Sequence, residues 1–135
     1  MKTSLKITGL IILISILAGC KTHININDYI DKNVAVKLKV SKKDNSTGLT
    51  SFKNFDIPVN SDKYKELIEW GNKNTAGWQS TLASFIADIY VGQGDFRMLY
   101  NSGSKGVVVG FKDKEGRAKQ YSKTIMQGEL DFLFK

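Results

Sequence analysis

The chain has 135 residues, 41% of them hydrophobic, and a formal net charge of +7. This length suffices for one domain, and the hydrophobic fraction is that of a folded globule, which excludes disorder along the whole chain. A single histidine and a single cysteine exclude a multi-histidine metal site and an intrachain disulfide.

The first feature along the chain is an apolar run over residues 7–18, which Lys2 and Lys6 precede. A helix that spans a bilayer needs about 20 apolar residues, so this run is too short to cross one. A basic start followed by a short apolar run is typical of a signal peptide. We therefore predict that residues 1–19 are a signal peptide that is removed.

The signal segment ends in Leu17-Ala18-Gly19-Cys20, which resembles the lipobox of bacterial lipoproteins. The resemblance implies cleavage before Cys20, a diacylglycerol on its thiol and a further acyl chain such as palmitate on its amino group. Two chains already hold a protein stably on a membrane. Gram-negative lipoproteins retained in the inner membrane generally carry aspartate after the cysteine, whereas this chain has Lys21. The resemblance thus implies the inner leaflet of the outer membrane, facing the periplasm, or the outer face of a Gram-positive membrane.

The mature chain is moderately basic and begins beside the anchor. Without Lys2 and Lys6, 18 of the 20 basic residues remain against 13 acidic ones, a net charge of +5. We expect residues 20–27 to form the lipidated cysteine and a short tether, and residues 28–135 to form one globular domain. The tether of seven residues would reach roughly 25 Å when fully extended. The domain is therefore expected close to the lipid surface, where part of its charge would suit anionic headgroups.

The first half of the domain is predicted to hold two strands. Residues 28–32 favour a turn or short helix. Hydrophobic residues then alternate along a first half-buried strand: Val34, Val36, Leu38 and Val40. Residues 41–51 favour a polar loop, and residues 55–59 favour a second strand that Pro58 places at an edge or near its end.

An amphipathic helix is predicted next. Residues 60–62, Asn-Ser-Asp, can cap its N-terminus, and Tyr64, Leu67 and Ile68 follow at helical spacing. Two glycines and two asparagines in residues 71–77, GNKNTAG, predict its end.

Short strands separated by glycine are predicted after Trp78. They cover residues 85–91, 96–101, 107–111 and 118–125, and their tight links favour an antiparallel meander. Residues 130–134 fit either a last strand or a docked helical turn. The predicted fold class is α+β, with an antiparallel sheet of about five or six strands and one principal amphipathic helix packed on one face.

Residues that could carry catalysis are few. His23 lies three residues from Cys20, where a packed active site is not expected. Asp88 and Asp95 could pair as carboxylates, although solvated strand ends explain both. The glycine-rich residues 92–94 and 103–106 lack the Gly-Lys-Ser/Thr ending of a phosphate-binding loop. We expect no enzyme, no cofactor and no metal site.

Aromatic and basic residues supply the candidate partner-binding residues. Most aromatic side chains are expected in the core, but Trp, Tyr and Arg dominate interfaces when exposed. Trp70 lies beside the apolar stripe of the helix, so it could border an interaction surface. The further candidates are Trp78, Tyr90, Arg97 and Tyr100. A basic cluster around one predicted hairpin adds Lys112, Lys114, Arg117, Lys119 and Lys123.

The basic cluster suits an anionic partner, and the lipid anchor argues against nucleic acid because an exported domain meets little of it. Phospholipid, lipopolysaccharide or an acidic toxin or enzyme are the partners left open. The lipobox, the helix end WGNKNTAGW and the β-rich remainder to GELDFLF resemble those of small lipoprotein immunity proteins paired with secreted antibacterial effectors. That resemblance implies binding and neutralisation of a toxin or hydrolase. The alternative is a structural or accessory lipoprotein of a cell-envelope or secretion complex.

Overall fold

The computed structural model describes residues 21–135, so the predicted signal peptide and Cys20 lie outside the described residues. Within residues 21–135 there are one α-helix, α1 (Asp62–Lys73), two short 3-10 helices (Ile26–Tyr29 and Asp131–Leu133) and seven β-strands. The predicted α+β class with one principal helix is confirmed.

All seven strands belong to one antiparallel sheet. Their bounds are Val36–Lys43 (β1), Thr50–Ile57 (β2), Gln79–Ser80 (β3), Ile89–Gln93 (β4), Phe96–Asn101 (β5), Gly106–Lys112 (β6) and Ala118–Thr124 (β7). Their order across the sheet is β2-β1-β4-β5-β6-β7-β3. The predicted meander is confirmed as β4 to β7, and the sheet exceeds the predicted five or six strands because the two-residue β3 pairs with the edge of β7.

The β1–β2 hairpin is longer than the sequence pattern indicated. Lys42 and Lys43 pair with Ser51 and Thr50, so the turn covers residues 44–49 rather than the predicted loop over residues 41–51. The carboxylate of Asp44 accepts hydrogen bonds from the backbone N–H and hydroxyl of Ser46, at 2.8 and 2.6 Å, and closes the turn. These strand residues are exposed, so no alternation of apolar and polar residues marks them as a strand.

One face of the sheet, here called the inner face, packs on α1 and the two 3-10 helices. Side chains from the five strands β1, β4, β5, β6 and β2 supply most of this core: Val36, Leu38, Ile57, Ile89, Val91, Met98, Val107 and Val109. From α1 the buried residues are Tyr64, Leu67, Trp70 and Gly71. The hydroxyl of Ser61 accepts the backbone N–H of Tyr64 at 3.2 Å, which confirms the predicted N-terminal cap.

The N-terminal segment is part of this core and not a free tether. The backbone N–H of Thr22 donates to the carbonyl of Trp78 at 2.7 Å, and that of Ile24 donates to Thr75 at 2.7 Å. Ile24 and Ile26 are 6% and 1% exposed. The predicted tether over residues 20–27 is therefore replaced, within the described residues, by a docked segment that leaves only Lys21 before its first pairing. Its apolar residues alternate with polar ones, and that alternation is what allows it to pack.

Residues 81–88, here called the crossover segment, run across the opposite, outer face of the sheet. They connect β3 at one edge to β4 in the interior, so the predicted strand over residues 85–91 begins only at Ile89. The carboxamide of Gln120 donates to the carbonyl of Ala83 at 3.0 Å, and that of Asn101 donates to Ile86 at 3.0 Å. Side chains of the sheet therefore hold the segment through its backbone.

Phe85 fixes the middle of the crossover segment on the sheet. A Cβ atom added to Gly106 would come within 2.7 Å of the Phe85 ring, so only glycine leaves room for this ring. Val108 lies two residues further on the same face and is 2% exposed, which agrees with a covered outer face at this place.

Truncating Leu67 tests the orientation of the helix. Leu67 is fully buried, so Leu67→Ala is expected to lower the free energy of unfolding by about 2–5 kcal/mol. Chemical denaturation followed by tryptophan fluorescence measures this. The control is Lys65→Ala on the exposed face of α1, for which a change within about 0.5 kcal/mol is expected. A loss for Leu67→Ala that is no larger than that of the control would contradict the packing described here.

Candidate partner-binding surface

Three of the aromatic residues predicted to contact a partner are buried. Trp70 is 5% exposed, and Trp78 and Tyr100 are fully buried. The expectation that they present their side chains to a partner is therefore corrected. The positions of these three residues in the sequence did not indicate their burial, because the segments that cover their rings are distant in the sequence.

Trp70 is covered by the C-terminal segment. Its indole Nε1 donates to the Glu129 carboxylate at 3.1 Å, and the same oxygen accepts the side-chain amide of Asn74 at 3.1 Å. The remaining edge of Trp70 lines a groove between α1 and this segment, together with Glu66, Lys73 and others. Trp70 thus fixes the C-terminal segment on the helix instead of projecting from it.

Trp78 joins the end of α1 to the N-terminal segment. Its indole Nε1 donates to the carbonyl of Asn74 at 2.8 Å, while its backbone pairs with Thr22. The ammonium group of Lys123 lies 5.4 Å from the centre of its ring. This arrangement gives the helix end WGNKNTAGW a structural role, since both of its tryptophans are in the core.

Of the five candidates Trp70, Trp78, Tyr90, Arg97 and Tyr100, only Tyr90 and Arg97 remain at the surface. Both lie on the outer face of the sheet. Tyr90 pairs with Leu99, and Gly92 pairs with Arg97, so the two side chains lie on adjacent strands. Arg97 is exposed and crosses Gly110, where an added Cβ would come within 2.7 Å of its Nε. Its guanidinium donates to the Gln120 side-chain oxygen at 3.1 Å. The bare backbone of Gly110 therefore holds Arg97 flat on the sheet.

Phe52 belongs to the same surface and was not among the predicted residues. Its ring meets that of Tyr90 edge to face, with the ring centres 5.8 Å apart, and the side chain is 50% exposed. The sequence pattern placed Phe52 in a loop and so missed it. Extending the second strand back to Thr50 would have revealed it, because Phe52 and Phe55 are an odd number of residues apart and so lie on opposite faces.

These side chains form what we call the outer-face patch. Its members share the outer face of four neighbouring strands and are Lys39, Phe52, Tyr90, Arg97 and Leu99. Lys37 at its border is neutralised by Asp56 at 2.7 Å. Within residues 21–135, no carboxylate lies within 4.0 Å of the charged groups of Lys39 or Arg97. The patch therefore combines exposed aromatic surface with two cations.

The cations of the predicted basic hairpin are mostly paired with acidic residues of the hairpin itself and of the turn between β4 and β5. Lys112 pairs with Asp95 at 3.2 Å, and Arg117 pairs with Asp113 at 2.8 Å and Glu115 at 3.0 Å. Lys119 also approaches Asp113, at 3.9 Å, whereas Lys114 is exposed without such a pair among the described residues. The hairpin is thus a network of opposite charges rather than a strongly positive surface.

Asp113 organises that network. Partial desolvation acts to raise the pKa of its carboxyl, but hydrogen bonds from the backbone and side chain of Arg117, with the Arg117 charge and the Glu115 backbone, lower the pKa overall. Asp113 therefore remains an anion at neutral pH and keeps the hairpin cations paired.

Lys123 lies apart from the other basic residues. Strand β7 carries it to the end opposite the hairpin turn, on the inner face, where its ammonium donates to Asn74 Oδ1 at 3.1 Å and to the carbonyl of Ala76 at 2.9 Å. Burial lowers the pKa of this amine, and the nearby Glu129 carboxylate partly offsets the shift. Lys123 thus supports the Trp78 junction and does not belong to a basic hairpin surface.

The groups considered for catalysis are not brought together in the described part of the chain. Asp88 and Asp95 lie beyond opposite ends of β4, and the Asp88 carboxylate caps a turn by accepting the backbone N–H of Ser102 at 2.7 Å. His23 is exposed. Residues 21–135 contain no group of three or more histidine, cysteine or acidic residues that could hold a metal ion. In the same residues no helix is both long and apolar enough to cross a membrane.

Removing the hydroxyl of Tyr100 tests its burial. Burial raises the pKa of this phenol, with smaller contributions from Asp131, Asp88 and Glu129. Its oxygen has no hydrogen-bond partner among the described residues. We expect Tyr100→Phe to leave the free energy of unfolding unchanged or to raise it by up to about 3 kcal/mol. Tyr100→Ala is the control and should lower it by about 3–5 kcal/mol.

Thermal and chemical denaturation of the two variants at Tyr100 supply both measurements. A loss above about 1 kcal/mol for Tyr100→Phe would mean that the hydroxyl makes a hydrogen bond that the structure does not contain.

No family model, no curated protein and no solved structure matches this chain.

Proposed function

We propose that this protein is a membrane-anchored periplasmic lipoprotein that binds and neutralises a secreted antibacterial toxin or hydrolase. The observation that carries the proposal is the outer-face patch, in which exposed Phe52 packs against half-buried Tyr90 on the sheet surface. The lipobox resemblance at Cys20 supplies the anchor, and the resemblance to small lipoprotein immunity proteins supplies the class of partner.

The composition of the outer-face patch suits a protein interface. Tyrosine and arginine are the residues that most often carry binding energy when a partner covers them, and Tyr90 and Arg97 are both present. The edge-to-face contact of Tyr90 with Phe52 fixes one ring against the other before binding. Side chains already held in position lose less conformational entropy when a partner binds.

The charges of the outer-face patch favour an acidic partner. Lys39 and Arg97 have no carboxylate within ion-pair distance in residues 21–135, and the mature chain has a net charge of +5. Complementary charge raises the association rate and disfavours wrong partners. The hairpin around Lys112 would have to exchange its internal ion pairs for those of a partner. The outer-face patch is therefore the better place for this electrostatic contact.

A second candidate function is that of an accessory lipoprotein in a cell-envelope or secretion complex. The open edge of β2 favours this candidate, since β2 pairs only with β1 and every residue from Thr50 to Asp56 is exposed. An exposed strand edge offers unpaired backbone groups to which another protein can add a strand. Neither function requires a catalytic residue.

Replacing Cys20 tests the anchor. Cys20→Ser is expected to abolish acylation, because serine provides no thiol for the diacylglycerol, and to leave an unprocessed precursor. Labelling of the cells with radioactive palmitate measures acylation, and the wild-type chain is the control. Palmitate incorporated equally into the serine variant would contradict the lipid attachment.

A competition between bacterial strains tests the immunity function. A strain that lacks this protein should be killed by its toxin-secreting parent, and the wild-type gene should restore its survival. Phe52→Ala with Tyr90→Ala should restore survival at least about tenfold less well, because loss of an interface hot spot costs 2 kcal/mol or more. The readout is the ratio of surviving cells of the two strains.

Two controls keep this experiment specific. Lys32→Glu changes an exposed cation that is neither in the outer-face patch nor among the predicted partner-binding residues, and should protect as well as the wild type, while immunoblots confirm equal amounts of each variant. Survival of the strain without the protein, accompanied by an envelope or secretion defect when it grows alone, would replace the immunity function with the accessory one.

A further inference from the structure

The first described residues fix where a lipid anchor would leave the domain. Thr22 pairs with Trp78, and Trp78 directly precedes β3 at the edge of the sheet. Only Lys21 separates Thr22 from Cys20. A residue of extended chain spans about 3.3–3.6 Å. An anchor at Cys20 therefore leaves the domain within several ångströms of this edge, with almost no slack.

The crossover segment begins at that same edge and carries the most exposed apolar side chains of the described residues. Leu82 is 100% exposed and Ile86 is 85% exposed. The ring of Phe85 packs inward on Gly106 between them. Because Gln120 and Asn101 hold the backbone of the segment, Leu82 and Ile86 are fixed with their side chains outward.

The anchor side and the crossover segment are directly adjacent in space. Lys21 and Phe85 line one groove, together with Gly77, Gln79 and Ser104. The segment leaves β3 at Ser80, so Leu82 follows the anchor edge by two residues. A membrane that holds Cys20 therefore lies beside Leu82 and Ile86.

The charges at this side suit an anionic lipid surface. Residues 74–87 contain no charged side chain, and residues 98–111 contain one, the exposed Lys105 in the β5–β6 turn. Lys21, which lines the groove, is a second exposed cation on this side of the domain. The one charged side chain of the crossover segment is Asp88 at its end, where the carboxylate accepts the backbone N–H of Ser102 at 2.7 Å. Apolar side chains on such a segment, bordered by lysines, are typical of protein surfaces that rest in the headgroup region.

We propose that Leu82 and Ile86 insert into the lipid surface beside the anchor, while Lys21 and Lys105 contact anionic headgroups. The crossover segment thereby acts as a second membrane contact that fixes the orientation of the domain. This inference rests on the lipid attachment at Cys20 in the proposed function, but not on the identity of the protein partner.

The contact borders the outer-face patch on the same face of the sheet, since Arg97 binds the side chain of Gln120, which also holds Ala83 of the crossover segment. The crossover segment lies over β5, β6 and β7, whereas Lys39, Phe52 and Tyr90 lie on the other half of the outer face, on β1, β2 and β4. The charged hairpin after Lys112 is at the far end of β6, about 20 Å from Gly106 at 3.3–3.4 Å per residue. The hairpin is therefore distant from the membrane contact, and Lys39, Phe52 and Tyr90 are the patch residues furthest from it.

Depth-dependent fluorescence quenching tests the contact. The full lipidated chain carries one added cysteine, Ile86→Cys, labelled with an environment-sensitive dye and reconstituted in vesicles of phosphatidylethanolamine and phosphatidylglycerol. A side chain of an interfacial segment lies about 5–10 Å below the headgroup boundary, so brominated acyl chains should quench roughly half of the emission. The emission should also shift to shorter wavelength.

The matched controls separate insertion from the affinity of the dye itself for lipid. A label at Lys114→Cys, on the distal hairpin, should be neither quenched nor shifted. Leu82→Asp in the chain labelled at residue 86 should reduce the quenching at least about twofold, because a carboxylate disfavours insertion of the same segment. Removing the anionic lipid should weaken the quenching as well, because Lys21 and Lys105 lose their counter-charges.

The outcomes distinguish failure of the contact from failure of the anchor. A chain that remains on the vesicles after a high-salt wash, but whose label at residue 86 is quenched no more than the label at residue 114, overturns the inference. Quenching that Leu82→Asp does not change overturns it too. A chain that washes off the vesicles contradicts the lipid attachment. If the label at residue 86 is quenched in vesicles but the protein gives no protection in the competition between strains, only the proposed partner is contradicted.

Discussion

Burial of Trp78 is the constraint on which the arrangement of the domain depends. The residue receives the N-terminal segment through its backbone pair with Thr22, and its indole N–H binds the carbonyl of Asn74 at the end of α1. The stem of Lys123 brings the ammonium group near the ring, so β7 meets the same point. Replacing this side chain would loosen the N-terminal segment, the end of α1 and β7 together, because each of them contacts the tryptophan. The helix end, the sheet edge and the N-terminal segment are thus one structural unit.

The sequence predicted those elements whose signals are local. The cap at Ser61, the stripe of Tyr64 and Leu67, and the short strands β5 to β7 between glycine-rich turns each need only neighbouring residues to be recognised. The docking of residues 22–27 and the burial of Trp70 could not be predicted in this way. Ile24 donates a hydrogen bond to Thr75, and Trp70 donates one to Glu129. These partners are far away in the sequence, so a pattern within one segment does not reveal them.

The candidate surface shows the same division. Tyr90 and Arg97 were identified from residue type, but type alone also selected Trp78 and Tyr100, which are buried. Which aromatic residues are exposed depends on the register between strands, and Phe52 joins Tyr90 only because β2 and β4 flank β1. The basic residues looked like a free positive surface in the sequence but are largely paired in the structure. Their acidic partners, Asp95 and Asp113, were visible in the sequence, yet the pairing that neutralises Lys112 and Arg117 follows from the turns.

The docked N-terminal segment also sets an order of events during synthesis. The side-chain amide of Asn27 donates to the carbonyl of Ile68, 41 residues further along the chain, and Thr22 pairs with Trp78. Chains are made and translocated from the N-terminus, so residues 22–27 have nothing to dock on until α1 and the following turn have emerged. During that interval Ile24 and Ile26 have no folded core to pack against. Once Trp78 is in place the pairing closes, and Thr22 is held against the folded sheet edge. Because Trp78 is synthesised late, residues 22–27 remain accessible for a period before they dock.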